Sequence, residues 1–416
     1  MACRTLPPEL VADILDDFIL LFPSHAARLP NLASFARVDK AWAPIATSHL
    51  YRNLYLDSKS RSAILSSLEA DPALAPLVRT LTLSGGKLDE AEFARLRSVL
   101  QGCKNVTSLS YHCFDAQYLG DLTAFIGEAW PGLRYLRADQ SQHLFDLLGR
   151  LPSLEELIAS HVDFPAAAQA QALAAASLVP LPLSRPSTPS AAPARPARPT
   201  FKLRRFDSGS SPSPLNFHLL TSSSRHTLRS LDLPISSVAA QDLSAFSALT
   251  SLTLTLAERY LPADADLPAR APGRPGSGRN DPRCLRRLKD VLRAAEAGSV
   301  PLKTLEIYEP HYAATSPFSA AAFAASDFLA AVPAGVEELE LQTCAVPLAY
   351  LSEALARVDR EPQDADDDGE EREERAVCRG LRRVTLGRGS VGGATETQVR
   401  ELLEVAARRG VSVRWA

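Results

Sequence analysis

One six-residue pattern of apolar and polar positions recurs along most of this chain. It reads apolar-x-x-apolar-x-apolar, and its last four positions alternate between apolar residues and polar or small ones. Such alternation is typical of a β-strand with one buried face. Ten copies begin, in chain order, at Val78, Val106, Leu133, Leu154, Leu203, Leu228, Leu249, Leu302, Val336 and Leu381. The segment VSVRW, from Val411, predicts a further, truncated strand.

Helical periodicity fills the stretches between the first copies. In EAEFARLRSVLQG, the apolar residues Phe93, Leu96 and Leu100 recur at intervals of three and four, and AQYLGDLTAFIGEAW continues this spacing with Leu119 and Leu122. Each stretch therefore predicts an amphipathic helix. Alternating strands and helices cannot bury their apolar faces one unit at a time, but stacked units can. The sequence thus predicts an α/β solenoid.

The repeat length points to a known family. Five of the intervals between successive copies are 21 to 28 residues long, which is within the range of leucine-rich repeats. From about residue 77 onward the chain resembles that family, and the resemblance implies an irregular horseshoe-shaped solenoid. The Asn or Cys that normally follows each repeat strand is mostly absent. The alternative is a doubly wound α/β domain, but so many closely spaced strands favour the solenoid.

Three longer intervals contain segments unlike a repeat. Residues 165–200 are rich in Ala and Pro, residues 262–283 are rich in Pro, Gly and Arg, and residues 361–375 are mainly acidic. None of these segments has enough apolar surface to offset the entropy lost on ordering. We therefore expect three flexible insertions that leave the solenoid.

The first 55 residues follow a different pattern. Leu10, Ile14 and Phe18 recur every four residues with Leu15 beside them, and further apolar residues follow at helical spacing around Trp42. The pattern predicts three short helices, which make too small a core to be stable alone. An apolar surface left over after their mutual packing would be covered by a partner.

This N-terminal stretch resembles an F-box. The family's opening Leu-Pro-x-Glu is matched by LPPE at Leu6, its Ile-Leu by Ile14 and Leu15, and its closing Val-x-Lys-x-Trp by VDKAW at Val38. The chain departs from the family by the extra residues FILLFPSHAARLPN, which precede Leu32.

The resemblance implies two domains with separate tasks. Residues 1–55 would bind the Skp adaptor of a cullin-type ubiquitin ligase, and residues 56–416 would form the repeat array that binds a protein substrate. The positions that match the family's adaptor contacts are Leu6, Pro7, Glu9, Leu10, Ile14, Leu15, Val38 and Trp42. On the residues alone, these side chains could instead pack internally or against the first repeat.

The repeat strands offer a candidate substrate-binding face. In each strand, the residues that flank the middle apolar position point away from the core, and in a horseshoe they line its concave face. Tyr and Arg are frequent anchors of protein interfaces, and two neighbouring glutamates give an acidic spot. The candidates are Tyr135, Arg137, Arg205, Glu338, Glu340 and Arg383. The alternative is a solvated face of mixed charge.

Composition narrows the partners and the compartment. The 416 residues are 46% hydrophobic and carry a formal net charge of −3, and we find no basic stripe with interleaved aromatics that would suggest nucleic acid. No run of about 18 apolar residues predicts a membrane span. The six cysteines include no CxxC pair, which is typical of free thiols in a reducing compartment. We therefore expect a protein of the cytoplasm or the nucleus.

Motifs that carry chemistry are missing from the sequence. It has no P-loop, dinucleotide-binding, zinc-protease or hydrolase motif, and the glycines of GRGSVGG from Gly387 follow a repeat strand, as turn residues do. His112 and Cys113 lie near Cys103, but four ligands at zinc-like spacing are not found. We expect no cofactor, no metal and no catalysis. The sequence favours a substrate-recognition subunit. The alternatives are a repeat scaffold whose F-box-like head has no role in ubiquitination and, more remotely, an enzyme on a divergent α/β fold.

Overall fold

The structure is a computed structural model of the 416-residue chain. It describes residues 6–21, 25–38, 40, 42–84, 88–112, 116–138, 143–159, 201–208, 217, 220–235, 243–256, 282–308, 328–342, 344, 346–357, 380–387 and 394–416. The expected insertions 165–200 and 361–375 lie outside these residues, as does 262–283 except for its last two residues. Those two residues open a helix that begins at Pro282, so the insertion expected there extends too far.

Three helices form the N-terminal part of the chain. Helix α1 is Pro8–Leu21, α2 is His25–Phe35 and α3 is Ala43–Arg52. A proline lies in the first turn of both α1 and α3, where a missing N–H group breaks no bond within the helix. Most residues that exceed the F-box pattern belong to the end of α1 and the start of α2, so they lengthen helices rather than a loop.

These three helices enclose a small core of their own. Val11, Leu15, Leu32 and Ala46 are buried in it. Phe35 stacks on Trp42 with ring centroids 5.7 Å apart, and Phe18 meets Phe35 edge-on at 5.1 Å. Such aromatic pairs add about 0.5–1.5 kcal/mol each beyond the burial of their surface.

Beyond these helices, the chain continues as parallel strands in two compact units. The first comprises Met1–Leu157 and Ala197–Phe201, and the second comprises Ile158–Pro196 and Lys202–Ala416. The helices α1 to α3 belong to the first unit. The division between residues 55 and 56 suggested by the F-box resemblance therefore stays a prediction.

The first unit contains the strands β1 to β4 and the first two residues of β5. The strands are β1 Asn53–Leu56, β2 Thr80–Ser84, β3 Ser108–His112, β4 Tyr135–Ala138 and β5 Glu156–Ala159. The helices between them are α4 Arg61–Ala70, α5 Glu90–Leu100, α6 Ala116–Ala129 and α7 Leu144–Leu148, and a 3₁₀ turn spans Pro72–Leu77. The strands β1 to β4 pair in sequence order, each parallel to the next.

The second unit repeats this arrangement. Its strands are β6 Arg205–Ser208, β7 Ser230–Pro234, β8 Ser251–Thr255, β9 Thr304–Tyr308, β10 Glu338–Gln342, β11 Arg383–Leu386 and β12 Ser412–Trp415. Its described helices are α8 Pro282–Ala297, α9 Leu348–Ala356 and α10 Glu396–Arg408, with short 3₁₀ turns at Ser222–Ser224 and Phe328–Ala331. Each of these strands is also parallel to the next in sequence order.

Burial follows the repeated pattern. The middle apolar residue of the pattern, such as Leu81, Leu109 or Leu231, is fully buried, whereas its two neighbours in the strand keep part of their surface exposed. All ten predicted copies and VSVRW form strands, which confirms those predictions, and β1 precedes them. Strands of one direction joined by helices or 3₁₀ turns, at this repeat length, define a parallel α/β repeat array within each unit.

Backbone hydrogen bonds fix how one repeat stacks on the next. The carbonyl oxygen of Arg79 accepts hydrogen bonds from the N–H groups of Thr107 and Ser108, at 2.9 and 3.1 Å. The carbonyl of Thr107 accepts two such bonds from Arg134 and Tyr135 in the next repeat. The second unit has the same paired bonds, so a single register continues within each unit.

A buried cysteine links two repeats of the second unit. Cys344 lies three residues beyond the last apolar position of its pattern, Leu341. Its buried thiol donates a hydrogen bond of 3.4 Å to the carbonyl oxygen of Ile307 in the preceding repeat. This bond satisfies a buried backbone carbonyl, which is costly to leave unpaired.

The described helices differ from membrane-spanning helices in length and hydropathy. None of them is both long enough and apolar enough to cross a membrane.

Candidate functional site

Helix α1 carries two apolar rows that face different surroundings. Val11 and Leu15 are fully buried in the core of the three helices. Leu10 and Ile14, one position earlier in each turn, are 48% and 42% exposed, and Leu6 before the helix is 42% exposed. Positions four residues apart share one face of a helix. The outer row therefore forms an apolar surface that the three helices leave uncovered.

The other predicted adaptor contacts differ in how much of their surface is exposed. Pro7 and Glu9 are exposed at the start of α1, and Val38, which follows α2, is 66% exposed. Trp42 is half-buried because one face of its ring packs on Phe35. Leu15 has no exposed surface, so its place is in the core and it is unavailable to a partner.

Two residues of this module were missed in the sequence. Val11 belongs to the core with Leu15, but Leu10 and Ile14 have the same spacing of four residues, so the sequence alone does not identify the buried row. His49 of α3 lies 3.7 Å from the carboxylate of Asp16, measured from Nδ1 to Oδ1. Both contacts orient α1 against α3, which determines which of its rows faces outward.

In the first unit, the predicted substrate-face residues lie on β4. Tyr135 is half-buried and Arg137 is exposed. Their partners in register on β3 are Ser108 and Ser110. On this face of the sheet, the larger side chains of β4 therefore lie next to the small hydroxyl side chains of β3.

In the second unit, the structure brings two of the predicted residues together. Glu338 of β10 and Arg383 of β11 are partners in register, and Arg383 Nη1 lies 2.7 Å from Glu338 Oε1. Both side chains are about one-third exposed, and ion pairs of this kind contribute about 1 kcal/mol or less. Glu340 lies two residues further along β10. Arg205 is on β6, with three strands between it and β10.

Glu306, which the sequence did not single out, lies beside Glu340 on the same face. Burial raises the pKa of the Glu306 carboxyl above its ordinary value, and the nearby Glu340 carboxylate raises this pKa further. A hydrogen bond of 3.2 Å that Thr253 Oγ1 donates to Glu306 Oε2 lowers the pKa and so opposes the shift. Its motif position, between Leu305 and Ile307, was the available signal. The adjacent carboxylates make this part of the face unfavourable for further negative charge.

We expect the substitution Glu306→Gln to stabilise the protein at neutral pH. A carboxyl whose pKa is raised in the folded state favours the fold while it is protonated, and this contribution is lost as the pH rises through the folded pKa. The free energy of unfolding at pH 7 should therefore increase in the variant. The difference should vanish below the ordinary glutamate pKa of 4.5. Denaturant unfolding measured from pH 3.5 to pH 8 would test this.

The exposed Glu401 of α10 provides a matched control, because Glu401→Gln removes the same charge from another surface. Its effect on unfolding at pH 7 should be small. If both variants show the same pH dependence, burial and the Glu340 carboxylate do not determine the behaviour of Glu306.

Side chains suited to metal binding are not gathered among the described residues. No group of three or more His, Cys, Asp or Glu side chains there could hold a metal ion. His112 is half-buried at the end of β3, and Cys113 lies outside the described residues. Cys103 is fully buried, and burial raises the pKa of its thiol to about 11.

We expect the Cys103 thiol to be unreactive in the native protein at pH 8. The thiolate is the reactive species, and both burial and the raised pKa keep its population low. Iodoacetamide labelling followed by peptide mass spectrometry should show little modification of Cys103 in buffer and complete modification in urea. Equal labelling rates in the two conditions would contradict the buried position.

Comparison with known proteins finds similarity only among solved structures. No protein-family model and no curated protein matches the sequence. The chain is similar to the leucine-rich repeat-containing protein LegL7 from Legionella pneumophila, with 13% identity and a TM-score of 0.40, over 87% of this chain and 89% of that one. It is also similar to TLR13 in its complex with ssRNA13, with 14% identity and a TM-score of 0.31, over 68% of this chain and 38% of that one. These likenesses assign no ligand or partner to this chain.

Proposed function

We propose that this chain is the substrate-recognition subunit of a Skp–cullin–F-box type ubiquitin ligase. Its N-terminal helices would bind the Skp adaptor, and its repeat array would bind a protein target. The chain would then act by holding the target near the ubiquitin-charged enzyme, which is a contribution of proximity and not of reacting groups.

The observation that carries the proposal is the exposed apolar row of α1. Leu6, Leu10 and Ile14 remain more than 40% exposed although a closed core lies directly beneath them. Large apolar side chains that remain exposed in a row are typical of a surface that a partner covers. In the F-box pattern of this sequence, the same three positions are adaptor contacts.

The position of Leu15 refines the set of contacts. Since Leu15 is buried, the proposed docking surface comprises the outer row together with Pro7 and Glu9, and Trp42 supports it from within by packing on Phe35. Glu9 also lies in the first turn of α1, where a negative charge favours the helix. Val38 is the most exposed of the large apolar residues in the described chain. We therefore include it in the proposed docking surface.

The repeat array supports the second half of the proposal. The described strands expose a continuous series of polar and aromatic side chains within each unit, and solenoids of stacked repeats commonly bind proteins along such surfaces. We assign Tyr135 and Arg137 to the substrate face of the first unit, and Arg205, Glu338, Glu340 and Arg383 to that of the second.

Co-purification with the Skp adaptor and with a cullin is the direct test. The full chain should capture purified adaptor in a 1:1 complex, and the cullin should join only when the adaptor is present. Capture of the adaptor without the cullin would favour a repeat scaffold with an F-box-like head. A full chain that binds no adaptor at micromolar concentration would refute the proposal.

A further inference from the structure

Five basic side chains of the first unit gather near the amino ends of its strands. Arg52, Arg79 and Arg134 directly precede β1, β2 and β4, Lys104 lies on the turn before β3, and Arg97 is in the last turn of α5. All five are exposed. The N–H group of Arg79 donates to the carbonyl oxygen of Arg52 at 2.9 Å, so these two residues occupy consecutive steps of the stack.

A cleft of about 600 Å³ opens among three of these residues. Its charged lining includes Arg79, Arg97 and Lys104, and the amides of Gln101 and Asn105 contribute polar groups. This volume is within the range of about 300–1,000 Å³ that is usual for small-molecule sites. The cleft therefore combines several hydrogen-bond donors with a concentration of positive charge.

The floor of the cleft is built from fixed aromatic rings. Trp130 is buried, and its Nε1–H group donates a hydrogen bond of 2.8 Å to the carbonyl oxygen of Cys103. Phe125 meets Trp130 edge-on with ring centroids 5.3 Å apart, and the Arg97 guanidinium lies 5.9 Å from the centre of the Phe125 ring. Because the rings cannot shift without breaking these contacts, the floor is preformed.

The cations of the cleft differ from Arg95 and Arg150 of the same unit in lacking a carboxylate partner. Arg95 binds both carboxylate oxygens of Glu69, and the Glu128 carboxylate at the cleft lies 3.9 Å from Arg150. Within the described ranges, Arg79, Arg97 and Lys104 form no ion pair. Their positive charge is therefore not neutralised within this part of the protein.

Stabilisation of a helix end explains only part of this arrangement. Arg97 and Lys104 are near the carboxyl end of α5, where cations interact favourably with the helix dipole. However, the last carbonyls of α5 already accept backbone hydrogen bonds from Gln101, Gly102 and Cys103. Arg79 directly precedes β2, so the dipole of α5 does not explain its position.

We propose that this cleft binds a phosphate group, carried by a small organic phosphate or by a phosphorylated side chain of a bound peptide. A phosphate dianion can accept charge-assisted hydrogen bonds from Arg79, Arg97 and Lys104 at once, and guanidinium groups match its geometry. The amide of Gln101 provides a further donor. The adjoining groove between α5 and α6 contains Glu90 and Asp121, which disfavour an anion there.

Calorimetric titration of the full chain can test the site with three defined probes. These are adenosine monophosphate, a phosphoserine peptide and the same peptide without phosphate. Arg79→Gln/Lys104→Gln should weaken binding of the phosphorylated probes by at least about 30-fold, since it removes two charge-assisted contacts. The matched control Arg286→Gln/Arg293→Gln removes the same charge from exposed positions of α8 and should leave the affinity unchanged.

The probes also distinguish the source of the phosphate. Binding of adenosine monophosphate supports a small-molecule ligand, and binding of the phosphopeptide alone supports a phosphorylated partner. The proposal is overturned if neither binds saturably, if the unphosphorylated peptide binds equally well, or if the two double variants lose the same affinity. Adaptor capture should be equal in both double variants, so a failure here is distinguishable from a failure of the proposed function.

Discussion

The double substitution Leu10→Asp/Ile14→Asp is expected to abolish capture of the Skp adaptor and to leave the unfolding of the chain nearly unchanged. Both side chains are more than 40% exposed, so the free protein loses little packing when they become polar. In a complex, each new carboxylate would be buried against an apolar surface, which costs several kcal/mol unless it is paired. We expect affinity to fall by at least about 100-fold.

The inner row of the same helix distinguishes docking from folding. Leu15→Ala removes a fully buried side chain, and such substitutions typically cost about 2–5 kcal/mol. It should reduce adaptor capture only through unfolding of the N-terminal helices, which circular dichroism and hydrogen exchange would detect. Leu10→Asp/Ile14→Asp should reduce adaptor capture while the N-terminal helices remain folded.

Leu403→Asp is the matched control on another surface. Leu403 lies on α10 and is 42% exposed, the same value as Ile14. Its replacement adds one carboxylate to an exposed helical face and should leave adaptor affinity unchanged in a titration with purified adaptor. Undiminished binding by Leu10→Asp/Ile14→Asp would show that the outer row of α1 is not the docking surface.

The strands could be predicted because the alternation of apolar and polar residues within each copy of the pattern is sufficient to indicate a strand with one buried face. Alternation such as that of Leu81 and Leu83 with polar neighbours specifies one buried face, and the close spacing of the copies leaves stacking as the simple way to bury every face. The helices of the first unit were equally clear, since Phe93, Leu96 and Leu100 occupy one buried side of α5. Here local pattern and tertiary packing agree.

The division of α1 into two rows could not be predicted in the same way. Leu10, Val11, Ile14 and Leu15 are all apolar, and the sequence does not say which pair faces the core. That choice depends on where α3 lies, through contacts such as that of His49 with Asp16. The sequence likewise did not show that most of the extra residues before Leu32 belong to the helices α1 and α2.

Candidate sites formed by residues far apart in sequence were the hardest to predict. Glu338 and Arg383 meet only because β10 and β11 pair in a register that places them opposite each other. The three cations of the cleft come from three separate elements: Arg79 precedes β2, Arg97 is in the last turn of α5, and Lys104 lies on the turn before β3. A search for a basic stripe along the chain does not detect such a cluster, because stacking of the repeats creates it.

Trp130→Ala is expected to be among the most destabilising single substitutions in the first unit. The Trp130 side chain is 1% exposed, packs edge-on against Phe125, and donates its only hydrogen bond to the carbonyl of Cys103. Removal of a buried tryptophan typically costs about 3–5 kcal/mol through lost burial and the cavity that remains. The carbonyl of Cys103 would also lose a partner in a buried place, which adds about 1–3 kcal/mol.

Trp130→Phe separates these two contributions, because phenylalanine keeps most of the apolar volume and lacks the N–H donor. It should cost about 1–3 kcal/mol, chiefly for the unpaired carbonyl, and Trp130→Ala should cost clearly more in denaturant unfolding followed by far-ultraviolet circular dichroism. Labelling of the Cys103 thiol gives an independent readout, since both substitutions remove the hydrogen bond to the backbone carbonyl of this buried residue. Two variants that both unfold like the wild type, with Cys103 still protected, would show that the hydrogen bond and the ring packing contribute little.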